Sequence, residues 1–355
     1  MKKRVLLGMS GGVDSSVAAV MLLEQGYEVI GATMRLWEPQ CTENCSECKN
    51  QAIEDAKKVC EKLQIPHYVI DNREIFKQKV IDKFISEYEN NKTPNPCVEC
   101  NRFIKFGEFY KKAQELQCDY ISTGHYAKIE YSEKYNMKVI KKADEEKKDQ
   151  TYFLYYIPKE EIEHILFPLQ NKASKEEIRK IAEENNLITA HKKESQEICF
   201  IPDNDYQKFL KQYSKKQLKT GNIVLKTGEV LGKHNGLSNY TIGQRKGLGV
   251  SYKEPLYVIK LNEKNNQVVV GTEKDLYSNE LYATELNWLT MNKLEESLQL
   301  KAKIRYRAKE AECTVIPIEE NKVKVVFKEP QRAITPGQSV VFYDDDILIG
   351  GGKII

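Results

Sequence analysis

The stretch GMSGGVDSS, residues 8–16, follows the apolar run Arg4-Val5-Leu6-Leu7 and precedes Val17-Ala18-Ala19-Val20-Met21-Leu22-Leu23, which has helical spacing. A glycine-rich turn between a strand and a helix forms an anion nest. Successive backbone N–H groups point into one concavity, and the helix N-terminus adds partial positive charge. The lysine of the common nucleotide phosphate loop is absent, and so is the glycine spacing of a dinucleotide fold. Instead, Ser10 and Ser15 supply hydroxyls, and Asp14 supplies a carboxylate suited to Mg²⁺ bridging phosphates. Such a loop suits ATP held by its pyrophosphate while the α-phosphorus is attacked, which is adenylation. A plain strand–turn–helix bend has no need of nest, hydroxyls and carboxylate together.

Working outward, the first 130 residues alternate apolar runs with helical periods. Strands are expected at Arg4–Gly8, Tyr27–Met34, His67–Asp71 and Tyr120–Gly124. Helices are expected at Ser15–Gln25, Asn50–Leu63, Glu74–Asn90 and Phe103–Leu116. This alternation predicts a Rossmann-like parallel sheet, with ligands beyond the C-terminal strand ends. Residues 129–148 read as an exposed hairpin or loop, and Ser174–Asn185 as a helix with capping-box spacing at Ser174 and Glu177. From about 219, glycines punctuate short β-rich segments. From about 275, Lys301–Ala308, Ala311–Ile318, Val323–Lys328 and Ser339–Tyr343 alternate as strands. The expected fold is therefore α/β over 1–200, a small central β-rich domain over 201–272, and a C-terminal antiparallel β-barrel over 273–355.

The chain has 355 residues and 41% hydrophobic content, enough for two or three domains with cores. It has no run of about 18 apolar residues and no signal-peptide pattern, so no membrane is expected and the location reads as cytoplasmic. Net charge is +3, but residues 201–355 carry 24 Lys and Arg against 19 Asp and Glu. A mildly basic C-terminal half is compatible with nucleic acid. Nine cysteines point to thiol or metal chemistry rather than a disulfide frame.

Thr93-Pro94-Asn95-Pro96-Cys97-Val98-Glu99-Cys100-Asn101 keeps the chain extended before a Cys-x-x-Cys. With a helix expected from Phe103, Cys100 falls near its N-terminus, where thiol pKa is lowered. Cys199 lies far downstream in Ile198-Cys199-Phe200-Ile201-Pro202. Cys41, Cys45 and Cys48 form a third group, read equally as a Zn²⁺ or sulfur site and as a reduced loop. Cys60, Cys118 and Cys313 read as small buried hydrophobes.

Together the motifs carry a resemblance. GMSGGVDSS is similar to the PP-loop of the ATP pyrophosphatase superfamily. With TPNPCVECN (93–101), IKF (104–106), TGHYA (123–127), KDQTYFLY (148–155), ICFIP (198–202), YTIGQRKGLG (240–249), RYR (305–307) and TPGQSVVFYDDD (335–346), essentially the whole chain resembles the bacterial tRNA-specific 2-thiouridylases.

The resemblance implies that ATP with Mg²⁺ adenylates the C2 oxygen of a wobble uridine in tRNA, with Lys, Glu and Gln acceptors, and that sulfur then replaces the oxygen. Nucleotide contacts would come from Gly8, Met9, Ser10, Gly11, Gly12, Val13, Asp14, Ser15, Met34 and Gly124. On periodicity alone, Met34 reads equally as core. The tRNA contacts would come from Asn95, Pro96, Cys97, His125, Lys148, Asp149, Gln150, Arg305, Tyr306 and Gln338. Arg305 and Arg307, if on a strand, share one face suited to phosphate. Cys199 would carry a persulfide with Cys100 as its partner, and a cysteine desulfurase or sulfur-relay protein would donate the sulfur. Many members have Asp where this chain has Cys97. Three thiols leave two mechanisms open: a persulfide relay, or sulfide on a [4Fe–4S] cluster held by Cys97, Cys100 and Cys199. A different PP-loop enzyme, such as an amidating synthetase, is the rival activity, but no ammonia-supplying domain is evident.

Overall fold

Strand β1 (Arg4–Gly8) ends at the glycine loop, and the helix Val13–Glu24 follows it directly. The computed structural model describes residues 2–37, 46–171, 174–192, 198–201, 203 and 205–355. Cys41, Cys45 and the side chain of Cys48 lie outside the described residues. The chain divides into two compact units.

The first unit comprises Met1–Ile81, Cys97–Pro202 and Asp346–Leu348. Its sheet is parallel and five-stranded. The strands are β1, β2 (Glu28–Arg35), β3 (His67–Asp71), β4 (Tyr120–Ser122) and, after the hairpin β5 (Lys128–Ser132) and β6 (Met137–Lys141), the short β7 (Ile165–Leu166). The order is β3-β2-β1-β4-β7, so strand order reverses between β1 and β4. Leu7 pairs with Ser122 there, which sets the loops after both strands side by side, where ligands bind in such sheets.

The helix Val13–Glu24 buries Val13, Val17, Ala18, Ala19, Val20 and Leu22 among Val5, Leu7 and Met9 of the sheet layer. Small residues at 18 and 19 permit this close packing. Each buried Val or Leu contributes about 1.5–3 kcal/mol.

The expected strand Tyr120–Gly124 stops at Ser122, leaving Gly124 in the loop. The capping box before Ser174 is realised in part: Ser174 Oγ accepts the Glu177 N–H at 3.0 Å, starting the helix Lys175–Glu184.

The helix expected from Phe103 starts earlier, at Pro96, a residue whose fixed φ suits a first helical position. It runs as α over Pro96–Cys100, π over Asn101–Glu108 and α again over Phe109–Glu115. Gly107 makes room within the wide turns, since a Cβ there would stand 3.0 Å from the Arg102 carbonyl.

The second unit comprises Asp82–Pro96, Asp203–Asp345 and Ile349–Ile355. Strands β8 (Gly221–Leu225), β9 (Val230–His234), β10 (Tyr257–Asn262) and β11 (Gln267–Gly271) form a sheet ordered β10-β11-β8-β9, with Ile223, Val258, Val268 and Val270 in its core. Strands β12 (Tyr277–Trp288), β13 (Leu298–Lys303), β14 (Ala311–Glu319), β15 (Lys322–Arg332), β16 (Ser339–Asp344) and β17 (Ile347–Ile354) follow. They form an antiparallel barrel ordered β12-β15-β14-β13-β16-β17, closed where Ala283 pairs with Ile354. Strand β13 ends at Lys303, so Arg305-Tyr306-Arg307 lies in a bend and turn rather than on a strand. Among the described residues no helix is long and apolar enough to cross a membrane.

Candidate active site

The glycine loop is tightly constrained by its backbone and its own hydroxyls. Gly11 has φ +69°, and a Cβ there would run into the backbone of Ala52. Ser15 Oγ accepts the Ser10 N–H at 3.2 Å and donates to the Gly12 carbonyl at 3.1 Å, while Ser16 Oγ donates to that carbonyl at 2.8 Å. Gly124 faces the same turn. A Cβ on it would sit 3.2 Å from the Ser15 nitrogen and 3.3 Å from the Asp14 Cβ. Met9 is buried in the core, and the Met34 methyl group lies 3.8 Å from where a Cβ on Gly8 would be.

Two lysines that sequence reading missed flank the loop. Lys175 Nζ donates to Asp14 Oδ1 at 2.7 Å, and Tyr126 OH donates to the same oxygen at 2.7 Å. Lys192 Nζ donates to the Gly11 carbonyl at 2.8 Å and to Asp55 Oδ2 at 2.7 Å. Burial raises the Asp55 carboxyl, but hydrogen bonds from Lys192 and Gln51 outweigh it and leave the group below its ordinary value. The only sequence signal for Lys175 was its place beside the helix cap Ser174.

On the thiol side, Cys100 is buried, whereas Cys97 and Cys199 are exposed. Local desolvation nonetheless pushes all three thiols up, Cys100 to about 11 and Cys199 to about 12. This corrects the expectation of an acidic Cys100. That residue ends the first helical segment instead of starting a helix, so burial dominates. Cys199 feels the charges of Cys100 and Cys97, and Lys105 lowers all three thiols.

Lys105 is a further residue that sequence reading left without a role. In a regular α-helix, positions 100 and 105 would be about 140° apart. The π turns over Asn101–Glu108, which hydrogen-bond i to i+5, bring their groups onto one side.

The segment after β4 joins the two halves. Tyr126 reaches Asp14 in the glycine loop, while the neighbouring His125 reaches Lys105, with Nε2 to Nζ 3.4 Å. His125 Nδ1 lies 2.7 Å from Thr123 Oγ1. With the ammonium donating to Nε2, the imidazole carries its proton on Nδ1 and gives it to Thr123. Burial, reinforced by the Lys105 charge, holds His125 well below its ordinary pKa, so the ring is neutral. Among the described residues no group of three or more His, Cys, Asp or Glu is arranged to hold a metal ion.

The other expected tRNA contacts are less free. Asp149 is buried and accepts from Ala143 N at 3.1 Å and Thr151 Oγ1 at 2.7 Å. Gln150 Oε1 accepts the Tyr126 N–H at 3.0 Å, and Lys148 stands 5.0 Å over the Tyr126 ring. Gln150 and Lys148 therefore brace the loop that carries His125, while Asp149 ties together its own turn and Ala143. In the second unit, Gln338 Nε2 donates to the Thr93 carbonyl at 2.9 Å and the Pro94 carbonyl at 3.3 Å, pinning the strap that holds half-buried Asn95 and buried Pro96. Arg305 Nη2 donates to the Arg332 carbonyl and, at 2.9 Å, to that of Ala333. Tyr306 is half-buried, and Arg307 is exposed. Arg305, Arg307, Lys309, Lys328 and Arg332 help to line a groove of about 610 Å³ in this unit.

Comparison with known proteins gives the family. The model described as tRNA methyl transferase HUP domain matches residues 3–203, the tRNA methyl transferase PRC-barrel domain residues 207–272, and the Aminomethyltransferase beta-barrel domain residues 278–354. The tRNA-specific 2-thiouridylase MnmA of Acetivibrio thermocellus is 51% identical over 358 residues, covering 99% of this chain and 99% of that protein. Its counterpart in Clostridium beijerinckii is 51% identical over 359 residues, covering 100% and 99%. With relatives this similar along their whole length, the chain belongs to the tRNA-specific 2-thiouridylase family.

Proposed function

We propose that the chain uses ATP to adenylate the C2 oxygen of the wobble uridine of tRNA, and replaces that oxygen with sulfur carried as a persulfide on Cys199. The observation that carries this reading is the segment Thr123–Tyr126. One of its residues bonds the glycine loop and the next bonds the lysine that faces the thiols. An adenylation site and a sulfur site thus share one wall.

The uridine C2 carbonyl is urea-like and a poor electrophile, so its oxygen must first become a leaving group. The nest at Gly11-Gly12 and the helix N-terminus grip the pyrophosphate. Lys175 and Lys192 supply positive charge beside it. Asp14, with one oxygen taken by Tyr126 and Lys175, suits Mg²⁺, which is held by one or two carboxylates plus substrate phosphates and neutralises their charge.

The terminal persulfide sulfur then attacks C2, and AMP leaves with the oxygen. The Cys100 thiolate attacks Cys199 Sγ, the sulfur–sulfur bond to the uridine breaks, and its electron pair stays on the new 2-thio group. A Cys100–Cys199 disulfide remains. Among the described residues no group of three or more His, Cys, Asp or Glu is arranged to hold a metal ion, which supports the relay over sulfide on a cluster. Wobble-uridine tRNAs of the Lys, Glu and Gln acceptors are the proposed substrates, and a cysteine desulfurase or sulfur-relay protein is the proposed donor. Domains at 1–200, 201–272 and 273–355 divide the work, the first for chemistry and the others for tRNA. Following AMP, pyrophosphate and 2-thiouridine in one reaction tests the reading.

A further inference from the structure

The relay as described leaves a disulfide whose Cys100 half is buried, at 8% exposure. The enzyme turns over only when that disulfide is opened and Cys199 is free to be reloaded. A third thiol stands beside it. Cys97 and Cys100 occupy positions i and i+3 of the helix Pro96–Cys100, neighbours on one face. Cys97 is exposed, and its charge is felt at both Cys100 and Cys199. Cys97 lies in the first helical turn, whose N–H groups have no intrahelical partner, and the helix widens into π turns straight after Cys100. Small adjustments at either end bring two i, i+3 cysteines to bonding distance, and the loop to be closed is among the shortest.

We propose that Cys97 is a resolving thiol: after each sulfur transfer its thiolate attacks Cys100 Sγ of the Cys100–Cys199 disulfide. The Cys100–Cys199 bond breaks, and its electron pair leaves on Cys199 Sγ as a thiolate ready for the next sulfur. The new Cys97–Cys100 disulfide presents its exposed sulfur to an external dithiol reductant. That dithiol supplies two electrons, is itself oxidised to a disulfide, and regenerates both thiols. The oxidised bond thereby moves from the sulfur-carrying cysteine to a surface where a reductant can dock.

The inference rests on the relay reading, and one experiment separates the two. Enzyme loaded with persulfide is mixed with ATP and tRNA without reductant, acid-quenched after one turnover, alkylated and mapped by peptide mass spectrometry. The expected result is a Cys97–Cys100 disulfide with Cys199 alkylated. In Cys97→Ser the disulfide is expected to stay at Cys100–Cys199, with loss of regeneration by an added dithiol. A Cys100–Cys199 disulfide with alkylated Cys97 in the unsubstituted enzyme overturns the resolving role and leaves the relay standing. Thiolated tRNA with no protein disulfide overturns the relay and the resolving role together.

Discussion

Lys105 Nζ lies 3.4 Å from His125 Nε2, and the same ammonium lowers the pKa of Cys97, Cys100 and Cys199. Burial pushes those thiols up, and thiolate, not thiol, is the nucleophile. Lys105 is thus the charge that opposes this rise at all three thiols. Lys105→Met is expected to shift the pH dependence of Cys100 and Cys199 alkylation by iodoacetamide to higher pH, and to slow thiolation most at low pH. An unchanged alkylation profile would remove the lysine from the account.

Gly11 is required twice, by its φ of +69° and by the Ala52 backbone against it. The left-handed conformation alone costs an ordinary residue about 1–2 kcal/mol. Gly11→Ala is expected to lower the melting temperature and to abolish the stabilisation that ATP gives the wild type in a thermal-shift assay. Retained ATP stabilisation would show that the loop is not the nucleotide grip.

Lys192 ties the loop to Asp55, whose folded pKa is held below its ordinary 3.8. A depressed carboxyl stabilises the fold above its unfolded pKa, and that contribution is lost as pH falls through the folded value. Acid unfolding of the wild type therefore gains part of its slope below about pH 4 from Asp55. In Lys192→Met the buried carboxylate loses its cationic partner and keeps only the Gln51 hydrogen bond, so the destabilisation is expected to be larger at pH 7 than at pH 3. A difference independent of pH would contradict the pairing.

Arg305 and Arg307 are expected to behave differently. Arg305 braces the carbonyls of Arg332 and Ala333, so Arg305→Ala should lower stability. Arg307 is exposed, so its guanidinium is the one expected to meet a phosphate. Arg307→Ala should leave the melting temperature alone and reduce the salt slope of tRNA binding by about one. An unchanged slope at Arg307 would take that side chain off the RNA surface.

The differences from the sequence reading have physical reasons. The glycine loop was legible because a nest, its hydroxyls and its helix are all local. The parallel sheet with its ligands beyond the C-terminal strand ends followed from the strand–helix alternation, whereas the strand order that sets β1 beside β4 is visible only in the structure. Lys105 was not legible as a partner of Cys100, because only π turns bring positions five apart together. The same early helix start at Pro96 turned an expected acidic thiol into a buried one. Lys192 meets Gly11 from the far end of the same unit, a contact that no local pattern announces. Arg305 was read as a strand residue because Arg-Tyr-Arg alternates like a strand, but β13 ends two residues earlier and the side chain is spent on backbone carbonyls.

The central claim is adenylation followed by sulfur replacement, with both sites on one wall. Its most direct test uses α-labelled ATP, tRNA carrying an unmodified wobble uridine, and persulfide-loaded enzyme in a single-turnover reaction. Labelled AMP, pyrophosphate and 2-thiouridine should appear in equal amounts, and Asp14→Asn should suppress all three while its circular dichroism stays native. ADP and phosphate as the nucleotide products, or 2-thiouridine formed without AMP, would contradict the account.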